Sequence, residues 1–337
     1  MVRITERLAT IAVVAGTVGC AASLPRLDPL NPVQSRLHSD IAYLASPDLM
    51  GRLTGTPGND SAASFIAKRY HDLALIGAFN GKSCGRDKCE NSLYQYFRLT
   101  PGSVSEVDWP IDDKTQNVAA IVLGADSTLR GEFVVVGAHF DHLGRSTVYA
   151  RDGSDYRFVH PGADDNASGT AAVLELARRF AEHPTRRSIL LANFSAEELG
   201  LIGSQVFVEN IPVPRDSIVT MVNLDMVGRL RGDMLIFFSG EDHDRFHALV
   251  DSVEHLTPAL IFRHQWRSGR REVSDQATFA RLHIPVLGLF TDYHADYHRS
   301  SDIVERINFP GLEKVVDFTE RFVRAVADGR DLPAPRD

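Results

Sequence analysis

Six consecutive residues, Phe133-Val-Val-Val-Gly-Ala138, carry no polar side chain. Successive side chains of a strand point to opposite faces, so a half-buried strand alternates apolar and polar residues. A run without alternation predicts a strand over 132–138 that is buried on both faces, as in sheets covered on each side by helices. Further strand-like runs are expected at 94–99, 117–123, 187–194, 218–224, 233–238, 259–263 and 285–290. Helices are expected at 33–46, from a cap at Asn59 or Asp60 to about Leu75, and at 167–182, 203–209, 242–255 and 311–327. Alternation of this kind predicts an α/β fold, a three-layer α/β/α sandwich with a central mixed, largely parallel sheet. Nothing between residues 35 and 330 reads as a linker, so that span is expected to be one domain.

The N-terminal residues follow a different logic. Arg3 and Arg7 lead into an apolar and small-residue run, Leu8 to Gly19, too short to span a bilayer. This is the layout of a secretory signal, and Thr17-Val-Gly-Cys20 resembles a bacterial lipoprotein cleavage site. Residues 1–19 are expected to be a signal peptide and 20–34 a tether, lipid-anchored at Cys20. The expected location is therefore the periplasm or the cell surface, on a membrane. In such a compartment Cys84 and Cys89, within the polar stretch Asn80–Glu90, are expected to form a local disulfide. The chain has 36 basic and 44 acidic residues, a formal charge of −8. No basic surplus exists to displace counterions from phosphates, which excludes a dedicated nucleic-acid binder.

In open α/β sheets, sites form at the carboxyl ends of the strands. The acidic and His residues collect there. His139-Phe-Asp-His142 follows the strand at 132–138, and Gly162-Ala-Asp-Asp-Asn-Ala-Ser-Gly169 opens the next helix. Glu197-Glu198 follow the strand at 187–194, and Asp225 the strand at 218–224. His294, His298 and Asp302 follow the last strand. Two His and several carboxylates without Cys suit zinc, with manganese or cobalt as alternatives, and disfavour calcium. Three carboxylates and two His exceed what one catalytic zinc takes, but fit two zinc ions sharing a carboxylate. Neighbouring residues on a regular strand point to opposite faces, so Glu197 and Glu198 must lie in a loop past the strand end.

These motifs, with Gly51-Arg52, Gly55-Thr-Pro-Gly58, Asn223-Leu-Asp225 and Asp296-Tyr-His-Arg-Ser-Ser-Asp302, resemble the co-catalytic di-zinc exopeptidases. That family includes secreted bacterial leucyl-type aminopeptidases, and its wider relatives include glutamate carboxypeptidases and glutaminyl cyclases. The resemblance covers roughly residues 35–325 and implies the zinc exopeptidase fold with two zinc ions per chain. Carried onto this sequence, it makes Asp164 the bridging ligand. Glu198 and His298 complete one site, and His139 and Asp225 the other. It also makes Glu197 the general base and Asp141 the residue that orients the His139 imidazole, while Asp165 would shape the turn. His298 is preferred to His294 because Ser301-Asp302 follows it. His142, His160 and His264 are read as surface or pocket-lining residues. Gln276 stands where relatives often carry His.

The resemblance implies an aminopeptidase that uses a metal-bridging hydroxide on peptides with a free N-terminus. Two alternatives remain on the same frame. One is a glutaminyl cyclase. The other is a carboxypeptidase, for which Arg229, Arg231, Arg267 and Arg270 could bind the substrate carboxylate. Tyr293, Tyr297 and Arg271 are candidates for stabilising an oxyanion.

Overall fold

The computed structural model describes residues 29–81, 89–99, 113–145, 158–239, 244–266 and 274–329. Cys20, Cys84, Arg267, Arg270 and Arg271 lie outside the described residues, as does the side chain of Cys89, so the expected lipid anchor and disulfide do too. In chain order the elements are α1 (Pro32–Leu44), α2 (Pro57–Asp72), β1 (Ile76–Gly77), β2 (Phe79–Gly81), β3 (Cys89–Ser92) and β4 (Tyr94–Arg98). Next come β5 (Lys114–Val122), β6 (Phe133–His139), α3 (Gly169–Glu182), β7 (Ser188–Phe194), α4 (Ile202–Glu209) and β8 (Ile218–Leu224). The series ends with β9 (Met234–Ser239), α5 (Asp244–His255), β10 (Ile261–Trp266), α6 (Gln276–Ala280), β11 (Val286–Phe290) and α7 (Phe309–Asp328).

Local chemistry sets the helix starts. Asn31 caps α1 in a reciprocal box with Gln34, and Pro32 follows it. For α2 the cap is Thr56, three residues before the expected Asn59. Pro57 fits the first helical position, where an N–H has no partner, and the Thr56 hydroxyl accepts from the Asn59 amide.

The nine-stranded main sheet has the order β1-β5-β7-β6-β8-β11-β9-β10, with β4 also paired to β5. Strands β7, β6, β8 and β11 are mutually parallel. The flanks are antiparallel at β5 and at β9, so parallel pairing is confined to the centre and to β9–β10. β2 and β3 form a separate hairpin.

β6 and β7 are buried along their whole length, as the missing alternation requires. Their side chains still alternate between two cores. Val134, Val136, Ala138, Ile189 and Leu191 face the side packed by α1, α2, α3, α5 and α7. Val135, Leu190, Ala192 and Phe194 face the side packed by Phe207 of α4 and Phe279 of α6. Both faces of the sheet are therefore closed, and its carboxyl edge is the open region where polar side chains can gather. Glu175 ties α3 to its neighbours, bonded to Arg36 of α1 and to Arg178 and Arg179, and Arg179 continues to Asp317 and Glu320 of α7. Among the described residues no helix is long and apolar enough to cross a membrane.

Candidate metal centre

His139 is the last residue of β6 and is almost fully buried. Its Nε2 lies 3.5 Å from Asp165 Oδ1 and 3.4 Å from Asp225 Oδ1. His298 Nε2, from the loop after β11, lies 3.1 Å from Asp165 Oδ2 and 3.5 Å from Glu198 Oε2. Ligands about 2.0–2.1 Å from a tetrahedral ion stand roughly 3.3 Å apart. Each set has that spacing around its imidazole, and the two oxygens of Asp165 serve one set each. His142, Asp165 and Glu198 also bring donor atoms within 4.8 Å of one another.

Asp165, and not the expected Asp164, is thus the carboxylate placed between the two donor sets, which corrects the expectation for Asp164. The Asp164 carboxylate faces away and is already engaged. Its Oδ1 accepts from the Gly228 amide at 2.6 Å and from the Ser168 hydroxyl at 3.0 Å. Its Oδ2 lies 3.1 Å from His294 Nε2. The reason is local backbone shape. Asp165 and Asn166 depart from helical φ/ψ within the turn that leads into α3, so the two adjacent carboxylates point in different directions. Asp302, expected to follow the ligand His, holds this turn, with its Oδ2 accepting from both the Asp164 and Asp165 amides. His294 accordingly belongs with Asp164, and His298 faces the metal-ligand candidates.

Glu197 and Glu198 lie past the end of β7, where Ala196 adopts a positive φ of 60° and turns the chain off the strand. Gly203 lets α4 close on this turn, since a Cβ there would sit 1.8 Å from the Ser195 carbonyl oxygen. Asp141 fastens the two Glu from the other side. Its carboxylate accepts from the Glu197 amide at 3.1 Å, the Glu198 amide at 3.3 Å and the Thr54 hydroxyl at 3.0 Å. The expected contact with His139 is weaker, with Nδ1 3.7 Å from Asp141 Oδ1 and 3.3 Å from the Asp141 carbonyl oxygen. Asp141 thus positions the two-Glu loop more directly than it positions the imidazole.

The electrostatics fit a cationic occupant. Asp165, Glu197, Glu198 and Asp225 line one cavity of about 460 Å³, and no Lys or Arg lines it among the described residues. Burial pushes Glu197 and Glu198 well above the usual carboxylate range. His139 opposes the rise at both, while Asp225 adds to it at Glu197 and Asp165 at Glu198. Asp225 Oδ1 is buried without a hydrogen-bond partner among the described residues. Unpaired buried carboxylates are costly, and divalent cations would relieve them. The donor set therefore fits two such ions.

Arg52 links this site to the fold. It is fully buried, and its guanidinium donates to the carbonyl oxygens of Phe140, Leu44, Pro161 and Gly162 at 2.6–3.0 Å. Those carbonyls belong to the end of α1, the exit of β6 and the approach to Asp165. Burial lowers its pKa to about 10, against the opposing pull of Asp141, Asp165 and Asp302, so it stays charged at neutral pH. Arg52→Met strands four buried carbonyls and is expected to destabilise the metal-free protein by about 3 kcal/mol, since each buried acceptor left without a donor costs about 1–3 kcal/mol and the removal of a buried cation offsets part of the sum. Equilibrium urea unfolding measures this, and a loss under about 1 kcal/mol would remove Arg52 as the clamp.

His142 and His160 are fully buried, which corrects their reading as surface or pocket-lining residues. His264 is partly buried, with Nε2 2.8 Å from Glu254. Arg229 is bonded to Asp296, and Arg231 to the Tyr293 carbonyl. Gln276 accepts from the Asn223 side chain and lines the cavity. Tyr293 and Tyr297 line it as well.

Residues 117–323 match peptidase family M28. A probable zinc metalloprotease of Pyrenophora tritici-repentis is 32% identical over 202 residues, 60% of this chain and 42% of its own length. The chain thus spans less than half of that relative. Among solved structures, a zinc aminopeptidase from Bacillus subtilis superposes with a TM-score of 0.65 at 18% identity, over 90% of this chain and 97% of that one. A glutaminyl cyclase from Porphyromonas gingivalis superposes with a TM-score of 0.65 at 15% identity, over 86% and 97%. These likenesses establish the fold.

Proposed function

Because the chain belongs to peptidase family M28, we propose that it is an exported zinc-dependent aminopeptidase that removes N-terminal residues from peptides. The observation that carries this reading is a cavity with four carboxylates and no Lys or Arg among its described lining residues, with Asp165 shared between two donor sets. His139, Asp165 and Asp225 would hold one zinc, and Asp165, Glu198 and His298 the other. Bound there, the ions would polarise the scissile carbonyl and supply a nucleophilic water at neutral pH.

The remaining work falls to the protein's own groups. Glu197 faces the cavity beside the ligands, and its amide is fixed by Asp141. It takes the proton of the attacking water and returns it to the leaving amine. Met226, Phe238, Leu289 and Phe290 give the cavity an apolar wall for a substrate side chain. An α-ammonium matches the acidic rim. A carboxypeptidase needs a free cation for the substrate carboxylate; of the four Arg named for that role, Arg229 and Arg231 are engaged elsewhere, and Arg267 and Arg270 lie outside the described residues. A glutaminyl cyclase shares the fold, and the Asp-Asn-Ala-Ser-Gly run from Asp165 favours the peptidases. Export, with lipid at Cys20 and a Cys84–Cys89 bond, is supported by the layout of residues 3–20 and the spacing of the two Cys.

Zinc titration of metal-stripped protein tests the metal requirement. The expected result is two ions per chain, with activity lost on chelation and restored by zinc. Full activity in metal-free protein would overturn the proposal.

A further inference from the structure

His142 has no part in the mechanism above, yet it lies at the centre of the site. It is fully buried, and its Nδ1 stands 2.7 Å from Glu198 Oε1. The other oxygen, Glu198 Oε2, faces His298. The two imidazoles therefore divide one carboxylate between them. The 2.7 Å separation is that of a charge-assisted hydrogen bond, shorter than the roughly 3.3 Å between two ligands of one tetrahedral ion. His142 Nδ1 is 3.8 Å from Asp165 Oδ2, whereas His298 Nε2 is 3.1 Å from it.

The far side of the ring fixes its tautomer. His142 Nε2 is buried and has no hydrogen-bond partner among the described residues. A proton there would be an unpaired buried donor, so the proton belongs on Nδ1, where the carboxylate accepts it. The ring is also held sterically. Gly162 has a positive φ of 60°, and a Cβ on it would lie 2.5 Å from His142 Cδ2. The ring of His298 packs edge-on, with centroids 5.8 Å apart.

From this geometry we infer that His142 is a positioning residue for Glu198, holding Oε1 through Nδ1–H so that Oε2 is presented to the metal bound by Asp165 and His298. The inference rests on the di-zinc reading of the site. Groups that orient a metal ligand typically contribute 10–100-fold in metal affinity. The contribution should be concentrated on one of the two ions, because within the set of His139, Asp165 and Asp225 the nearest carboxylate approach to His142 is 3.8 Å, to the Asp165 oxygen that faces His298.

The test is zinc affinity at each site, by calorimetric titration of the native protein and three variants. His142→Leu is expected to keep one site at native affinity and weaken the other about 10–100-fold. His142→Asn places an amide N–H near the Nδ1 position and should restore the weaker site to within a few-fold of native. His142→Gln extends its amide toward the Nε2 position, which has no partner, and should not restore it. If the Leu variant fails to fold, the Asn and Gln pair carries the comparison. Native affinity at both sites in the Leu or Gln variant would overturn the inference. So would complete loss of the second ion in the Asn variant, which would make His142 itself a ligand. A native protein that binds no zinc pair would instead refute the di-zinc reading, so the two failures are distinct.

Discussion

Glu197→Gln is expected to lower turnover by about 10²–10⁴-fold while both zinc ions stay bound. Glu197 Oε2 lies 3.9 Å from His139 Nε2, beyond the 3.4–3.5 Å at which Asp165 and Asp225 stand from the same nitrogen. It lines the cavity without being needed to complete either set of donors. Its amide is fastened to Asp141, so the loop keeps its place when the side chain changes. Gln has the same size and can hydrogen-bond to water, but it cannot accept the proton. One group serves both proton transfers, so the upper end of the range is expected. Glu198→Gln should behave differently, losing metal as well as rate. Zinc content and kcat measured on the same samples separate the two. Near-native turnover in Glu197→Gln with both ions bound would assign the base elsewhere.

Asp165→Asn is expected to weaken both metal sites together and reduce activity by about 10³-fold or more, the equivalent of several kcal/mol of lost charge stabilisation. Among the described residues only this carboxylate gives one oxygen to each imidazole-centred set. Its neighbour provides the control. Asp164→Asn keeps a carbonyl oxygen for the Gly228 amide and disturbs the contact with His294, so zinc content should remain near native. Its cost should appear as about 1–3 kcal/mol of stability, the range for a disturbed buried hydrogen bond. If Asp164→Asn loses both ions and Asp165→Asn retains them, the bridging assignment returns to Asp164.

The contrast between these two residues shows where sequence reading reaches its limit. Element order and strand placement were legible because burial on both faces leaves a continuous apolar run, as in β6 and β7, and because helices carry their own periodicity. The clustering of His139, Glu198, Asp225 and His298 followed from their places at strand ends. The choice between Asp164 and Asp165 was not legible. Adjacent residues differ only in direction, and direction is set by the irregular φ/ψ at Asp165 and Asn166 and by the grip of Asp302, distant in sequence. His142 was misread for a related reason. A His directly after an Asp carries no burial signal by itself, and its enclosure depends on Gly162 and His298, which tertiary folding brings to it. The start of α2 was recoverable from Thr56-Pro57, since a Thr followed by Pro is a stronger start signal than a later Asn or Asp.

Central to the account is that the acidic cavity recognises a free N-terminus and that hydrolysis releases one residue at a time. The most direct measurement is product analysis by mass spectrometry, with zinc-loaded protein acting on one peptide in free, N-acetylated and N-terminal glutaminyl forms. The predicted result is stepwise release of N-terminal residues from the free peptide, with the acetylated form uncut. Equal cleavage of the acetylated peptide, or cyclisation of the glutaminyl peptide with no amino acid released, would contradict it.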